Sequence, residues 1–409
     1  MKATLRDWPF LRQSSTRAVL DALDGAGGKT RIIGGAVRDA LLGREARADA
    51  DLATSLTPAE VIARAERAGL KTAPTGIAHG TVTVIAHGQP FEVTTLRRDV
   101  ETDGRRAVVR FTDDWEEDAA RRDFTMNALY CDAAGNLFDP LGGLEDLQAR
   151  RIRFIGDAED RIREDYLRIL RFFRFFAWYG AGRPDAEGLK ACARLKAGIA
   201  TLSAERIWAE LKRLLDAPDP TRALLWMRTT EVLQKALPES WGIDAIHRLV
   251  AAEKAENWSV DALLRLQSIL PPHRARIDAL SQRLRLSRAE TARLLAWADT
   301  PEIPADTPES ALAQQLYRGD PRGILDRLRH GLAREADAGH SGAAAKLRRL
   351  ILFARDWERP VFPVTGKDLV RAGLEPGPEV GERLKTLEER WVASGFALNR
   401  DELLSPSAL

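Results

Sequence analysis

The stretch Thr30-Arg-Ile-Ile-Gly-Gly-Ala-Val-Arg-Asp39 predicts a short strand, a glycine turn and the start of a helix. Its first residues form a short β-branched run, the pair Gly34-Gly35 ends that run, and helical spacing begins at Val37. Two glycines directly before a helix expose backbone N–H groups that can bind a triphosphate, and Arg38 adds positive charge beside them. A glycine pair in this position is by itself more often only a tight turn.

Two aspartates, Asp49 and Asp51, follow the helix start with one residue between them. On an extended segment, residues two apart point to the same face. Mg²⁺ binds hard oxygen ligands, typically one or two carboxylates together with substrate phosphates. Most Asp-x-Asp pairs are surface or capping residues, so this pair becomes a candidate metal site only through its place after the glycine turn.

A predicted hairpin brings a third carboxylate, Glu92, into the same region. The segments 80–85 and 91–96 alternate with period two, and His87-Gly88-Gln89 forms the turn between them. A carboxylate on a neighbouring strand would allow two metal ions to bind about 3.5–4 Å apart, as in two-metal phosphoryl transfer. Alone, Glu92 is an ordinary solvated strand residue; the ordered combination of all these features favours a catalytic site.

Gly34–Asp39 followed by Asp49-Ala-Asp-Leu-Ala-Thr54 resembles the signature of the class II tRNA nucleotidyltransferases and related bacterial poly(A) polymerases. These proteins belong to the polymerase-β-type nucleotidyltransferase superfamily. The resemblance implies a mixed five-stranded catalytic sheet with Asp49 and Asp51 as ligands of Mg²⁺. It also implies that Glu92 is a third acidic catalytic residue, which would promote attack by an RNA 3′-hydroxyl.

A second block, residues 118–128, places two adjacent arginines between aspartates. Arg121 and Arg122 can hold a ribose or a phosphate while Asp118 and Asp123 fix their geometry. A salt-bridged surface turn is the plain alternative. The block resembles the ribose-contacting motif of the same family, which implies that Arg121, Arg122 and Asp123 bind the nucleotide.

In a third block, Asp165, Arg168, Arg171 and Arg174 recur every three residues and predict one stripe along a helix over 158–178. A basic helix face paired internally is the ordinary interpretation. An aspartate and a guanidinium can also imitate the edge of a complementary base. The resemblance assigns this role to Asp165 and Arg168, which would accept C or A and reject G and U. Arg171 and Arg174 would then hold the triphosphate or stabilise the helix near it.

Between these blocks, residues 97–110 are polar and contain one glycine, which predicts an exposed loop. In the resembled family a flexible loop at this place helps to switch from C to A addition. Residues 203–211 predict the start of a further helix and resemble the last shared motif of the family, with a structural role below the nucleotide pocket.

Strand signals nearly vanish after residue 157, so we expect an α+β fold: a nucleotidyltransferase head with a mixed sheet, then an all-α neck, body and tail. The predicted boundaries are 1–155 for the head, 156–217 for the neck that recognises the base, 218–300 for the body and 301–409 for the tail. Two basic clusters in the helical part are candidate phosphate contacts for a tRNA acceptor arm. They comprise Arg274, Arg276, Arg283, Arg285, Arg288 and Arg293, and Arg322, Arg327, Arg329, Arg334, Lys346, Arg348 and Arg349.

The composition limits the other classes of function. The 409 residues contain 62 Lys and Arg against 60 Asp and Glu, which gives a net charge of +2. Such a small net charge does not by itself indicate binding to nucleic acid or to a membrane. Without an apolar run near 18 residues or a secretory signal, we expect a cytoplasmic protein with no membrane partner. Two cysteines exclude a disulfide framework, and no pattern predicts the oligomeric state.

The resemblance as a whole implies the stepwise addition of C, C and A to the 3′ end of tRNA from CTP and ATP. The reaction would need no nucleic-acid template, would use two metal ions and would release pyrophosphate. The alternatives are a poly(A) polymerase with the same head, a CC-adding or A-adding enzyme, and an RNA-binding factor with an inactive head. A poly(A) polymerase is disfavoured because residues 401–409 are not the long basic tail common in those enzymes.

Overall fold

The computed structural model describes residues 4–44, 50–103 and 106–405, and the chain forms two compact units, 1–238 and 239–409. The predicted finer division at residues 155, 217 and 300 stays a prediction. The strands, all in the first unit, are β1 (Thr30–Ile33), β2 (Leu52–Thr54), β3 (Lys71–Gly76), β4 (Thr81–Ala86), β5 (Gln89–Thr95), β6 (Arg97–Asp103), β7 (Arg106–Phe111), β8 (Tyr130–Cys131) and β9 (Leu137–Phe138).

Along the chain, the first helices of the first unit alternate with the strands, and the later helices come after the last strand. They are α1 (Pro9–Arg12), α2 (Ser14–Ala22), α3 (Gly35–Leu41), α4 (Pro58–Arg67), α5 (Trp115–Ala120), α6 (Gly143–Gln148), α7 (Ala158–Glu164), α8 (Leu167–Tyr179), α9 (Ala186–Leu195), α10 (Ala204–Leu215), α11 (Thr221–Thr229) and α12 (Val232–Ala236).

Seven strands form one mixed sheet in the order β3-β4-β5-β2-β1-β8-β9, in which β2 and β5 are parallel and the other neighbours antiparallel. The mixed sheet is confirmed, but the implied number of five strands is wrong. The strands β8 and β9 have two residues each, which is too short to leave an alternating pattern in the sequence. Buried Ile32, Val82, Val84 and Val93 form part of the sheet's core.

The predicted hairpin is confirmed as β4 and β5, with Val84 opposite Phe91. His87 and Gly88 connect the strands with φ angles of 50° and 81°. Positive φ at both central residues is the geometry of the tight turn whose twist matches that of the flanking strands. The register of this turn determines that Glu92 faces away from the buried side of the strand.

The predicted loop over residues 97–110 is wrong. The strands β6 and β7 form a separate two-stranded antiparallel sheet with Arg97 opposite Phe111. The strands β6 and β7 pair through backbone hydrogen bonds, which form without the alternation of apolar side chains by which a strand is recognised in a sequence. This explains why the sequence predicts a loop here.

In the described residues of the second unit, helices are the regular elements and no strand occurs, as expected for an all-α region. Its helices are α13 (Asp244–Ala255), α14 (Ala262–Gln267), α15 (Arg274–Leu284), α16 (Arg288–Asp299), α17 (Glu309–Arg318), α18 (Pro321–Asp337), α19 (Ser341–Asp356), α20 (Gly366–Arg371), α21 (Pro378–Ala393) and α22 (Arg400–Leu403). One core cluster includes Leu328 and Leu347, and another includes Leu369 and Trp391. Among the described helices, none combines the length and apolar character needed to cross a bilayer.

Many arginines of the two predicted basic clusters are held by carboxylates. Arg283 pairs with Glu239 at 2.7 Å, and Arg293 pairs with Asp326 at 2.8 Å. Such pairs reduce the positive charge that these residues offer to RNA, so the number of candidate phosphate contacts is smaller than the sequence suggests.

Candidate active site

One cavity of about 1270 Å³ lies in the first unit and is bordered by the sheet, by α3 and by the helices α8 and α10. Ten predicted site residues line it: Gly34, Gly35, Arg38, Asp51, Arg122, Asp123, Asp165, Arg168, Arg171 and Arg174. Glu92 and Arg121 do not line it, and Asp49 lies outside the described residues. The cavity therefore joins the predicted metal-binding end to the predicted base-reading end.

The acidic end of the cavity is set by the strand pairing of the sheet. Asp51 directly precedes β2, and its carbonyl accepts a hydrogen bond from the N–H of Ile33 at 3.0 Å. Because Leu52 is opposite Val93 in the parallel pair, Asp51 and Glu92 are at neighbouring positions, and both are exposed. Two adjacent carboxylates are suitable donors for a hard divalent cation. No group of three His, Cys, Asp or Glu residues suited to a metal occurs in the described ranges.

The glycine turn has the backbone conformation that its sequence predicts. Gly34 has φ 72°, a region that residues with a Cβ rarely adopt, and its N–H donates to the carbonyl of Leu129 at 3.0 Å. Helix α3 begins at Gly35, and both glycines, which carry no side chain, line the cavity. The turn thus presents main chain to a ligand.

Arg38 is tied to the protein by three partners. Its side chain is buried, with 6% of the residue exposed, and donates from Nη1 to Oδ1 of Asn127 and from Nη2 to the hydroxyl of Tyr179, both at 2.6 Å. Its Nε donates to Asp39 at 3.0 Å. These contacts connect α3 to α8, so Arg38 fixes the shape of the cavity wall in addition to contributing charge.

The predicted arginine pair is held from behind by a buried carboxylate. Asp118, 1% exposed, accepts from Nε of Arg121 at 2.8 Å, from Nη2 of Arg122 at 3.1 Å and from the hydroxyl of Tyr130 at 3.0 Å. Burial alone would raise the pKa of Asp118, but the two guanidinium groups outweigh it and hold that pKa below its ordinary value. The carboxylate is therefore buried rather than part of a surface turn, and it orients Arg122 at the cavity.

A chain of alternating charges continues from this block into the helices. Asp123 accepts from Nε of Arg171 at 2.7 Å, and Glu210 of α10 accepts from Nε of Arg174 at 2.5 Å. Nη1 of Arg171 lies 3.9 Å from Glu210, which therefore faces both arginines. Burial raises the pKa of Asp123, but the charge of Arg171 and a hydrogen bond from Asn127 more than reverse this, so its pKa is lowered.

Asp165 is not part of a continuous helix, so the predicted stripe over 158–178 is wrong at its first member. The residue ends α7 with extended angles, φ −155° and ψ 105°, and α8 begins at Leu167. Its Oδ1 accepts from the N–H of Leu167 at 3.1 Å. Aspartate binds backbone N–H groups at helix ends better than it fits a helix interior, which explains the break.

Both members of the predicted base-reading pair have protein partners. Asp165 accepts from Nη2 of Arg206 at 2.6 Å, and Arg168 donates from Nη1 to Glu164 at 2.5 Å and to the carbonyl of Arg161 at 2.7 Å. The two side chains line the same cavity. Their polar atoms are thus oriented by neighbours in α7 and α10 at the wall of the cavity.

Comparison with known proteins adds to this geometry. Residues 30–153 match the family described as "Poly A polymerase head domain", and residues 183–242 match "Probable RNA and SrmB- binding site of polymerase A". The chain is 34% identical over 403 residues to the mitochondrial CCA tRNA nucleotidyltransferase 1 of Danio rerio, which covers 92% of this chain and 86% of that protein. It is also 34% identical over 380 residues to the CCA-adding enzyme of Geobacillus stearothermophilus, with 90% of each protein covered.

The chain belongs to the class II CCA-adding tRNA nucleotidyltransferases. Among solved structures it is similar to the Bacillus stearothermophilus CCA-adding enzyme in complex with CTP, with a TM-score of 0.70 and 30% identity. That similarity covers 93% of this chain and 94% of the other. The predicted family and its α+β fold are confirmed.

Several residues that complete the site of this nucleotidyltransferase were not among the predicted site residues, although Arg206 and Glu210 belong to residues 203–211, for which a structural role was predicted. Glu164, Arg206 and Glu210 hold the charged residues of the cavity, and Trp178 and Tyr179 form part of its wall. The spacing of Arg206 and Glu210, four residues apart on α10, was the one available signal, because it places both on one helix face. Trp178 and Tyr179 lie among apolar residues whose pattern indicates only a buried core, and Glu164 lies in a charged segment that is typical of an exposed helix.

Proposed function

We propose that this protein adds C, C and A one after another to the 3′ end of tRNA, using CTP and ATP and releasing pyrophosphate. The observation that carries the proposal is the single cavity of about 1270 Å³ that contains the glycine turn and Asp51 together with Asp165 and Arg168. A nucleoside triphosphate in this cavity could place its phosphates beside Gly34 and its base beside Arg168. No strand of nucleic acid is needed to choose the base.

Base choice would depend on hydrogen-bond polarity at one end of the cavity. A carboxylate accepts and a guanidinium donates, so Asp165 and Arg168 together match the exposed edges of C and A. Their partners Arg206 and Glu164 would hold both groups in the orientation that binding of the base requires. Each well-formed bidentate contact discriminates by about 1–3 kcal/mol, which is enough to disfavour G and U.

The remaining predicted residues would bind the sugar and the phosphates. Arg122 and Asp123 line the cavity and would contact the ribose, and Arg121 would support Arg122 through Asp118, the carboxylate that both arginines bind. Arg171 and Arg174 would neutralise the triphosphate. Because carboxylates already orient these arginines, little side-chain entropy remains to be lost when the nucleotide binds.

The acidic end of the cavity would hold Mg²⁺. Asp51 and, by prediction, Asp49 would be its ligands, and the exposed carboxylates at positions 51 and 92 are donors of the right type. Such an ion supplies charge stabilisation to the phosphates during transfer. Glu92 would promote attack by accepting the proton of the RNA 3′-hydroxyl, whose oxygen bonds to the α-phosphorus while pyrophosphate departs.

The protein's partners would be the tRNA acceptor arm, CTP and ATP. The ribbon of β6 and β7 takes the place of the loop that would support the change from C to A addition.

We also propose a cytoplasmic location. Cys131 and Cys192 are buried free thiols, as a reducing compartment permits, and burial raises the pKa of Cys131 to about 12. The relative from Danio rerio is named as mitochondrial, so fractionation should compare both compartments.

The deciding experiment incubates the full chain with Mg²⁺, all four nucleoside triphosphates and a tRNA that lacks its 3′ end. Three added residues in the order C, C, A support the proposal. An open-ended A tail would instead indicate a poly(A) polymerase, and C, C alone would indicate a CC-adding enzyme. No addition with intact tRNA binding would indicate an RNA-binding factor.

A further inference from the structure

The second unit contains a cavity of its own that the proposed catalytic function does not use. It has a volume of about 160 Å³ and lies where α13, α16 and α18 meet. The residues that matter for its chemistry are Trp241, Arg248, Trp297, Glu302, Arg327 and His330. A space of this size is suited to one small polar group rather than to a whole nucleotide.

Positive charge dominates this cavity. Arg248 and Arg327 have no ion pair with any residue in the described ranges, whereas Glu302 pairs with Arg334 at 3.1 Å. The three lining arginines thus face one carboxylate. Burial lowers the pKa of Arg327, and the charge of Glu302 restores only part of it. The cavity consequently contains two guanidinium groups, those of Arg248 and Arg327, that form no ion pair with a carboxylate of the described residues.

A buried donor lies in the same wall. Trp297 is 3% exposed, and its indole N–H has no hydrogen-bond partner among the described residues. Its carbonyl accepts from Nε of Arg327 at 3.0 Å, which leaves the terminal nitrogens of that guanidinium for another acceptor. A buried N–H without a partner is unfavourable, so an acceptor in the cavity would stabilise this arrangement.

His330 does not supply the missing negative charge. Its Nε2 lies 3.1 Å from Oε1 of Gln267, whose amide nitrogen donates to Asp326 at 2.8 Å. The amide orientation therefore places the imidazole proton on Nε2. Burial, followed by the charges of Arg327 and Arg248, lowers the pKa of His330 to about 3 and keeps the ring neutral.

We propose that this cavity binds a phosphate group, held by Arg248 and Arg327 and by the indole N–H of Trp297. An anion with several acceptor oxygens matches two guanidinium groups and a further donor. Trp241 is 68% exposed at the rim, where its ring can stack on a base next to the bound phosphate. The occupant that fits both features is a phosphodiester of RNA. In this respect the inference rests on the proposed function, which supplies the tRNA.

The first test uses inorganic phosphate and the full chain labelled with ¹⁵N. Ten tryptophans give ten indole N–H signals, and the variant Trp297→Phe identifies the one from Trp297. We expect this signal to shift on addition of millimolar phosphate, and we expect Arg248→Gln to weaken the shift. The measurement needs no catalytic activity, so its result is independent of whether the protein adds nucleotides.

The second test measures the affinity for tRNA without its 3′ end at several salt concentrations. We expect Arg248→Gln to weaken binding about tenfold and to reduce the slope of log K against log salt by roughly one. The control Arg318→Gln removes an exposed arginine that does not line the cavity and should change neither quantity. The dissociation constant for CTP should be the same in all three proteins.

The two tests separate the sources of the phosphate. A response in both assigns the cavity to the RNA backbone. A shift with inorganic phosphate but unchanged tRNA binding supports a phosphate site that is filled by the free anion. If the Trp297 signal does not move and Arg248→Gln binds tRNA like the unaltered protein, the proposal is overturned.

Discussion

Arg206 donates from Nη2 to Oδ2 of Asp165 at 2.6 Å, across the gap between α10 and the break that separates α7 from α8. The other oxygen of the same carboxylate accepts from the N–H of Leu167. Both oxygens are thereby oriented before any nucleotide enters the cavity. The carboxylate that we expect to read the base is held by a residue in a helix 41 positions away in the chain.

The first prediction concerns this contact. Arg206→Ala should lower kcat/KM for CTP incorporation by roughly 10–100-fold, since a hydrogen bond to a charged group contributes about 1.5–3 kcal/mol. Discrimination against UTP should fall as well, because Asp165 would lose its fixed orientation. Single-turnover incorporation with each nucleotide separately measures both effects. Arg206→Lys keeps the charge and should recover part of the rate, and unchanged discrimination in the alanine variant would contradict the role.

The second prediction concerns the stability of the charged network. Glu210 faces Arg171 and Arg174 from a buried position, so Glu210→Ala would leave Arg174 without its carboxylate and Arg171 with Asp123 alone. We expect the free energy of unfolding to fall by roughly 3–5 kcal/mol. Urea unfolding measures it. Glu382→Ala removes an exposed glutamate from α21 and should change stability by less than about 0.5 kcal/mol.

The parts of the fold that local chemistry determines were predictable from the sequence. The helix after Gly34-Gly35 is confirmed as α3, and the turn at His87-Gly88 is confirmed between two alternating strands. Such features depend on a few adjacent residues and their backbone preferences. The strands β8 and β9 were missed because two-residue strands have no periodicity.

The site was predictable in composition but not in arrangement. The sequence identified many of the charged residues that line the cavity, but not Arg206, Arg213 or Asp216, because glycine pairs and spaced carboxylates are recognisable locally and isolated charges are not. It did not predict that Arg38 would bond to Tyr179, which is 141 positions away, or that Asp165 would leave the helix. These outcomes depend on long-range packing and on competition between side-chain and backbone hydrogen bonds, which no short motif encodes.

The third prediction concerns the metal-binding end. Asp51→Asn should reduce CTP incorporation by about 1000-fold or more while leaving tRNA affinity unchanged, because an amide oxygen is a poorer ligand for Mg²⁺. Primer extension and filter binding measure the two quantities. Asp113→Asn, an exposed position that does not line the cavity, is the matched control. Chelation of divalent cations should stop incorporation by the unaltered protein, and full activity after chelation would contradict metal dependence.

The fourth prediction concerns Asp368, which closes a capping box at the start of α20. Hydrogen bonds from the side chain of Thr365 and then from Arg400 lower the pKa of Asp368 to about 2. In the unfolded chain the pKa of an aspartate is about 3.9. Its stabilising contribution is therefore complete above about pH 4 and is lost as the pH falls towards 2.

Thr365→Val should raise the pKa of Asp368 more than Arg400→Gln does, since the contact with Thr365 has the larger effect. Titration of the Asp368 carboxyl by ¹³C NMR measures the midpoint in each protein. The stability difference between the unaltered protein and Thr365→Val should also shrink as the pH falls from about 4 to about 2. A midpoint near 4 in the unaltered protein would show that the hydrogen bonds at the start of α20 do not hold this carboxylate in its charged form.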